Sequence, residues 1–347
     1  MTGQTDRHIG KKRIGIVGLG TIGRRVATAA MWQPDMTVSG FAAPRMSPYL
    51  RAFAHVPTYS VGAPFEGAAD GGLEAFLDGV DLVVDCAPRG SAEARKDHYV
   101  KAGIPAVFQG GEGQELADIS FCASVNFAQA RGLRSVRVVS CNTTGVARVF
   151  AVLLGIAGAF EARLVLVRSA TDGDKAHKGD AVGLSAEHGL SHHAEDLRAF
   201  WPTLPITSLA IKAPTNRGHL ISAFLRFQTP PDRGALLAAL AATPRILVAD
   251  GAISTRRLRE YSAGLGRCDC PSVVVWEAGL VVSGHDVAMT LGIHMESIVI
   301  PDTIDACRVL LNPGIAAPDS MAITDRTLAV PRGRATSHDD EERGQPC

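Results

Sequence analysis

The chain has 347 residues, long enough for two domains with a sizeable core. Acidic and basic residues balance at 35 each, so the charge points neither to nucleic acid nor to an anionic membrane surface. No apolar run approaches the roughly 20 residues that span a bilayer. The start, MTGQTDRHIGKKR, lacks the apolar core of a secretory signal, and an odd count of seven cysteines reads as cytosolic thiols, so the expected compartment is the cytoplasm.

In chain order, the first element is an apolar strand ending in a dinucleotide fingerprint. Gly18, Gly20 and Gly23 match G-x-G-x-x-G, with Thr21 and Ile22 between the second and third glycines. The first glycine serves the tight turn, the second lets backbone approach a pyrophosphate, and the third lets helix and strand pack closely. A helical pattern follows through Val26, Ala29 and Ala30. The next strand, Thr37 to Ala43, should end in the acid that binds a ribose 2′-hydroxyl, but Pro44 and Arg45 follow instead. The missing carboxylate favours NADP, or tolerance of both NADP and NAD. Arg45 is either a 2′-phosphate ligand or a solvated loop charge.

Val80 to Pro88 reads as a buried strand whose end, Pro88, faces the cofactor cleft. Ala92 to Gly103 reads as a helix, and Ile104 to Phe108 as a strand. Gly110 and Gly111 follow, where paired glycines admit backbone close to the nicotinamide end. These alternating units predict a parallel sheet.

The segment Ser140-Cys141-Asn142-Thr143-Thr144-Gly145 follows the apolar run Val136, Val138, Val139 and precedes an apolar helical pattern. A thiol at a strand-to-helix junction meets free backbone N–H groups and the positive end of the helix dipole, both of which favour thiolate. Cys141 is therefore the candidate nucleophile, whereas Cys86, Cys122 and Cys307 lie in apolar contexts and read as inert core thiols. Arg148, seven residues further, is equally a structural ion pair or a phosphate ligand. Beyond Cys141 the strands Leu164–Val167, Ser222–Phe227, Ser272–Trp276 and Leu280–Ser283 are joined irregularly, which predicts a mixed or antiparallel sheet in an α+β domain. Pro301 to Leu311 starts with proline and an early acid, as helices do. The segment from Pro331 to Cys347 is charged and without large apolar residues, and is expected to be disordered. The fold class is α/β: an N-terminal Rossmann domain and a second, α+β catalytic domain. No metal site is expected, because Cys268-Asp269-Cys270 and the histidines His188, His192 and His193 complete no known ligand spacing.

GLGTIGRRVA, DCAPRG, PAVFQGGE, RVVSCNTTG, SHHAEDL, ATPRILV, IHMES and SMAITDRTLAV together resemble the archaeal-type (class II) phosphorylating glyceraldehyde-3-phosphate dehydrogenases, from about Arg13 to Val330. The resemblance implies a Rossmann domain over 1–140 completed by a returning helix in 301–330, a catalytic domain over 141–300 and usually a homotetramer. It makes Cys141 the nucleophile and His219, after Pro214 and Thr215, its assistant; without it, a structural histidine would fit that position better. It places Gly111, Thr21 and Ile22 on the cofactor, Ser140 and Asn142 on substrate, and His192 and His193 at the phosphate site. Three positions depart from the family. Ser169 stands where it often has a second arginine after Arg168, Met295 where it has a cofactor-contacting glutamine, and Glu277 in place of arginine.

The reading that follows is covalent aldehyde oxidation. Cys141 attacks, His219 takes the hydroxyl proton, and the Cys141 N–H with the Asn142 amide holds the oxyanion. Inorganic phosphate then releases an acyl phosphate. Arg168, Lys178, Thr143, His192 and His193 supply anion donors for the phosphorylated substrate. Two alternatives stand beside it: a same-mechanism enzyme acting on another aldehyde, acyl phosphate or thioester, and a non-catalytic cofactor sensor.

Overall fold

The computed structural model of the chain describes residues 10–109, 111–169, 183–215 and 217–335. Short runs of Val, Ile and Ala build a first sheet from β1 (Lys12–Val17), β2 (Met36–Ala43), β3 (Thr58–Ser60), β4 (Leu82–Asp85), β5 (Ala106–Phe108), β6 (Ile119–Phe121) and β7 (Ser135–Val138). Their order is β3-β2-β1-β4-β5-β7-β6, with every neighbouring pair parallel. Parallel neighbours need long crossovers. The helices α1 (Thr21–Trp32), α2 (Gly72–Asp78), α3 (Glu93–Ala102) and α4 (Ala123–Asn126) lie between successive strands. Strands such as β4 are buried along their whole length, as a sheet covered on both faces requires.

This parallelism is what assembles the site. Residues far apart in sequence, each just beyond a strand, emerge at one carboxyl edge: Gly18 after β1, Arg45 after β2, Pro88 after β4, Gly111 after β5 and Ser140 after β7. The strand order reverses between β1 and β4, which opens a crevice there.

Helix α5 (Cys141–Ala157) leads into a second, mixed sheet. Its strands are β8 (Phe160–Ser169), β9 (Ser185–Ala186), β10 (Ile206–Ala213), β11 (His219–Phe227), β12 (Ile246–Ala249), β13 (Val273–Trp276), β14 (Val281–Ser283), β15 (Asp286–Ile293) and β16 (Gly333–Ala335). They run in the order β16-β12-β13-β15-β11-β8-β10-β9, with β14 beside β15. Helices α6 (His193–Arg198), α7 (Arg233–Ala242) and α8 (Glu260–Ala263) fall among these strands, and α9 (Ile300–Leu311) and α10 (Ala317–Thr327) follow β15. Phe150, Val149 and Leu153 of α5 are fully buried in the core that this sheet shares with α5. Helix α9 carries Pro301 at its start and returns to the first sheet, packing on α1 and on β4, β5 and β7. No described helix is long and apolar enough to cross a membrane.

The parallel and mixed sheets follow the expectation from sequence. Strands β3, β6, β9, β10, β12 and β15 were not foreseen. β3, β6, β9 and β12 have four residues or fewer, whereas β15 is eight residues long and alternates Val287, Met289, Leu291 and Ile293 with its other residues, a strand signal the sequence does carry. The reading of the chain from Pro331 as disordered needs correction at its start. Gly333 to Ala335 add β16 in parallel to Leu247–Ala249 of β12, and Arg334 pairs with Glu277 at 2.6 Å. Backbone hydrogen bonding, which no hydropathy count registers, holds these residues. Residues 336–347 lie outside the described residues.

A buried charge cluster joins the two sheets. Arg148 on α5, Arg245 before β12 and Arg308 on α9 are at most 2% exposed. Arg148 donates to Asp302, and also to the carbonyls of Pro271 and Ile298, each at 2.8 Å. Arg245 reaches Asp305 at 2.5 Å and Asp325 at 2.7 Å. Arg308 reaches Asp35 at 2.7 Å and Gln33 at 2.8 Å. Of the two sequence readings of Arg148, the structural ion pair is the one found. Removing one member of a buried pair strands the other, at a cost of about 3–5 kcal/mol, whereas replacing both with apolar residues is often neutral. Asp302→Ala should therefore lower unfolding free energy in urea by about that amount, and Arg148→Met with Asp302→Leu should recover most of it.

Candidate active site

Cys141 is the first residue of α5, and Ser140 is its N-cap. The Ser140 hydroxyl accepts from the Thr143 N–H at 3.4 Å and lies 2.9 Å from the Thr143 hydroxyl. The thiol thus stands at the end of the helix that carries unpaired N–H groups and partial positive charge. Asn142 and Thr143 are buried beneath it.

The opposite wall comes from one edge of the second sheet. Antiparallel pairing of β11 with β8 sets Leu220 opposite Val167, and pairing with β15 sets His219 opposite Ile293. Arg168, Ser169, His219, His294 and Met295 therefore gather at one end of neighbouring strands. Gly218 makes this turn possible: its φ is +103°, and a β-carbon there would lie 2.7 Å from the Ile293 carbonyl. Gly145, in the first turn of α5, sits so close to Ile293 that a β-carbon would meet its side chain at 2.6 Å. Ile293 is thus wedged between the helix that starts at Cys141 and the strand that starts at His219.

His219 is buried, and its Nδ1 accepts a hydrogen bond from the Ser169 N–H at 2.9 Å. A backbone N–H only donates, so the neutral ring carries its proton on Nε2. Burial, and then the nearby charge of Arg168 and His294, push its pKa down to about 3. The ring is neutral at pH 7 and presents a donor. The expected proton acceptor thus has one ring nitrogen occupied as acceptor and hydrogen on the other. Ser169, which departs from the family pattern, orients the catalytic candidate, and its hydroxyl donates to the Gly218 carbonyl at 2.7 Å.

His193 behaves similarly. The Asn142 side-chain nitrogen lies 3.3 Å from its Nε2, and the Ser191 hydroxyl 2.6 Å from its Nδ1. Burial, followed by His192, Arg168 and His219, lowers its pKa to about 3. With Asn142 donating to Nε2, the ring proton sits on Nδ1 and is given to Ser191. In this arrangement both ring nitrogens of His193 are engaged, one by Asn142 and one by Ser191. His192 is exposed at the start of α6, with its ring stacked 4.2 Å from that of His193. The Asn142 amide nitrogen gives one of its two hydrogens to His193, and its buried Oδ1 has no partner among the described residues. Arg168 forms an ion pair with Glu187. Lys178 and Gly110 lie outside the described residues.

The fingerprint has the shape of a phosphate cradle. Gly18 has φ +81°, a β-carbon on Gly23 would lie 1.9 Å from the Gly18 carbonyl, and nothing lies within 4 Å of one on Gly20, the N-cap of α1. The open position faces the helix N-terminus where a pyrophosphate binds. Thr21 and Ile22 begin that helix. Near the end of β2, Arg45 is exposed and Arg24 of α1 stacks over the Tyr49 ring at 4.7 Å. Pro88 is exposed after β4, and Gly111 has φ +76° after β5. Met295 lies beside Glu296, whose carboxylate pairs with Arg25 of α1; Arg25 also donates to the Thr21 carbonyl at 2.9 Å. This pair ties the strand edge bearing His219 to the cofactor helix. Nothing in the sequence signalled it, nor Arg24, Ser191 or Glu187, because none falls in a spaced motif. Glu277, the third departure, pairs with Arg334 and lies 3.8 Å from Arg233.

Two buried neutral rings make a pH prediction. An unfolded histidine titrates near 6.5, so between about pH 6.5 and 3 the unfolded chain binds more protons, and stability falls on acidification by about 1.4 kcal/mol per pH unit for each ring. Urea titrations from pH 7 to 4 should show this slope reduced in His193→Gln. The His219 ring should contribute no inflection near pH 6.5 to kcat/KM; an inflection there that disappears in His219→Gln would show that the ring titrates normally.

Comparison with known proteins agrees with this geometry. Residues 140–284 match the family described as "Glyceraldehyde 3-phosphate dehydrogenase, C-terminal domain". The chain is 36% identical to the glyceraldehyde-3-phosphate dehydrogenase of Hyperthermus butylicus, over 93% of this chain and 98% of that protein. It is 36% identical to that of Aeropyrum pernix, over 92% and 97%, and 35% identical to that of Haloarcula marismortui, over 94% and 99%. With a cysteine at the first position of α5, a glycine-rich turn after β1 and full-length similarity in agreement, the chain belongs to the archaeal-type glyceraldehyde-3-phosphate dehydrogenase family.

Proposed function

We propose that the protein oxidises D-glyceraldehyde 3-phosphate, with inorganic phosphate, to 1,3-bisphosphoglycerate, using NADP or NAD. The observation that carries this reading is Cys141 at the first position of α5, on the same edge as the fingerprint. The division of labour is a cofactor domain over 1–140 with 301–330 and a catalytic domain over 141–300.

The chemistry follows from the proton positions. Cys141 as thiolate attacks the aldehyde carbon, and the electron pair of the C=O bond moves to oxygen. The alkoxide is held by the His219 Nε2–H and the Cys141 N–H, so no base need remove a proton before oxidation. Bound at the cradle of Gly18, Gly20 and Gly23, the nicotinamide cofactor supplies the hydride acceptor. The thioester left on Cys141 is then released by inorganic phosphate as the acyl phosphate. The unpartnered Asn142 Oδ1 suits the donor hydroxyl on C2 of the substrate. Thr143, Arg168, His192 and Lys178 serve the two phosphate groups, and the Ser140 hydroxyl holds the first turn of α5.

The outer face of the second sheet exposes Leu209 (50%), Phe224 (54%) and Val281 (55%). Such a patch suits a second copy, and we infer a homo-oligomer, in keeping with the tetramer implied by the resemblance. Cys86, Cys122, Cys270 and Cys307 are free thiols, which suits a reducing cytoplasm.

Turnover with glyceraldehyde 3-phosphate, phosphate and each cofactor tests the reading. Cys141→Ser should abolish it while leaving cofactor binding intact, because a serine hydroxyl is a far weaker nucleophile at neutral pH. His219→Asn should lower kcat by about 10²–10³-fold, the range for a lost oxyanion donor. A wild type inactive on this substrate but active on other aldehydes would shift the assignment to the same-mechanism alternative.

For the cofactor, the absent acid at the end of β2, with Arg45 and Arg24 nearby, favours NADP. Arg45→Ala or Arg24→Ala should weaken NADP by about 1–3 kcal/mol and NAD much less, since only NADP carries the 2′-phosphate for a charge-assisted bond. Equal losses for both cofactors, read by titration, would place the discriminating contact elsewhere.

A further inference from the structure

A continuous buried polar chain runs beneath the site from the cofactor turns to the residues after Cys141. It begins at Glu112, beyond β5, which is 5% exposed. Its carboxylate accepts from the N–H groups of Gly90 at 2.7 Å and Ala92 at 3.3 Å, in the turn after β4 that holds Pro88. The Glu112 carbonyl accepts from Arg137 Nη1 at 2.8 Å. Arg137, on β7 and 3% exposed, also donates to the Ser120 hydroxyl at 2.7 Å and to Asp196 at 3.0 Å. The other Asp196 oxygen lies 3.5 Å from the Thr143 hydroxyl, at the long limit of a hydrogen bond. Asp196 sits on α6, the helix whose first residue, His193, takes the Asn142 side-chain nitrogen.

One short helix thus grips both residues that follow Cys141, and Arg137 ties that helix to the first sheet. A buried ion pair is a poor source of stability, since apolar residues of similar volume often do as well. Its planar fork, however, fixes several acceptors in one geometry. Arg137 uses that fork on three partners, one each from the turn after β5, from β6 and from α6.

We propose that Arg137 and Asp196 are positioning residues, which set Cys141, Asn142 and Thr143 against the turns that hold the nicotinamide end of the cofactor. The inference rests on Cys141 being the nucleophile. It concerns alignment and not the chemistry of the thiol, and so it separates two quantities that a general loss of structure would move together. Covalent attack and oxidation need two different partners aligned on one carbon. A displacement of about 1 Å costs on the order of 10²-fold in rate.

The experiment compares wild type with Arg137→Lys, which keeps the charge but loses the fork, and Asp196→Asn, which keeps the shape but loses the charge. Steady-state kcat with glyceraldehyde 3-phosphate should fall by about 10²-fold in each. The dissociation constant for NADP, by titration, and the rate of Cys141 alkylation by iodoacetamide should remain at wild-type values. If either variant fails to fold, Arg137→Met with Asp196→Leu removes both charges and must show the same split. Wild-type kcat in a folded variant would overturn the inference, and so would parallel loss of kcat, NADP affinity and alkylation. Cys141→Ser in the same assay separates the two readings: if it retains turnover, the nucleophile assignment has failed, whatever Arg137 does.

Discussion

The structure depends most on the buried contact between Arg148 and Asp302. Arg148 lies two turns into the helix that begins at Cys141, and Asp302 lies in the first turn of the returning helix α9. Both are fully buried. Burial alone would raise the Asp302 carboxyl, but Arg148 and Arg245 outweigh it and hold it below the usual carboxylate range. Asp302 also accepts the Ala123 N–H at 2.7 Å, so one carboxylate pins α4, α5 and α9 together. From it the charges continue through Arg245 to Asp305 and Asp325, and through Arg308 to Asp35. The middle of the helix that begins at Cys141 is thereby tied to α9 and to the segments before β13 and after β15. Arg245 itself holds φ +63°, a left-handed conformation that this network of partners keeps in place.

Electrostatics at the thiol end follow a different logic. Arg168 lowers the affinity of both His193 and His219 for a proton, after the larger effect of burial. Both rings are then neutral, and their hydrogen-bond partners decide which nitrogen carries hydrogen. Ser169 selects a donor at Nε2 of His219, and Asn142 selects an acceptor at Nε2 of His193. A neutral donor stabilises an alkoxide without the desolvation cost of a buried imidazolium. The cation in this part of the site is left to Arg168, which Glu187 holds in place.

The three departures from the family acquire distinct meanings in this setting. Ser169 removes a guanidinium and adds a hydroxyl that donates to the Gly218 carbonyl at 2.7 Å, while the N–H that fixes the His219 ring belongs to the backbone and does not depend on the side chain. Met295 removes an amide next to Glu296, whose pairing with Arg25 still binds this segment to the cofactor helix. Glu277 is engaged with Arg334 of β16. The first two lie at the ends of neighbouring strands of the second sheet, and the third falls where the chain beyond α10 docks on that sheet.

The parts of this protein that were legible from sequence are those whose geometry is local. The fingerprint from Gly18 to Gly23 and the junction Ser140-Cys141 each lie within one strand–turn–helix unit, so residue type and spacing carry them. Alternating units foretold the parallel sheet, and the structure brings these turns to one edge of it. What the tertiary structure alone decided is every property set by partners distant in the chain. Arg25 finds Glu296 across 271 residues and Arg148 finds Asp302 across 154. His219 owes its tautomer to a backbone N–H 50 residues away. No periodicity encodes such pairings, because they depend on how strands of the second sheet register and on how α9 returns. The sequence by itself determined the fold class, the cofactor cradle and the nucleophile candidate. Whether His219 gives or takes a proton was decided only when β8 and β11 paired.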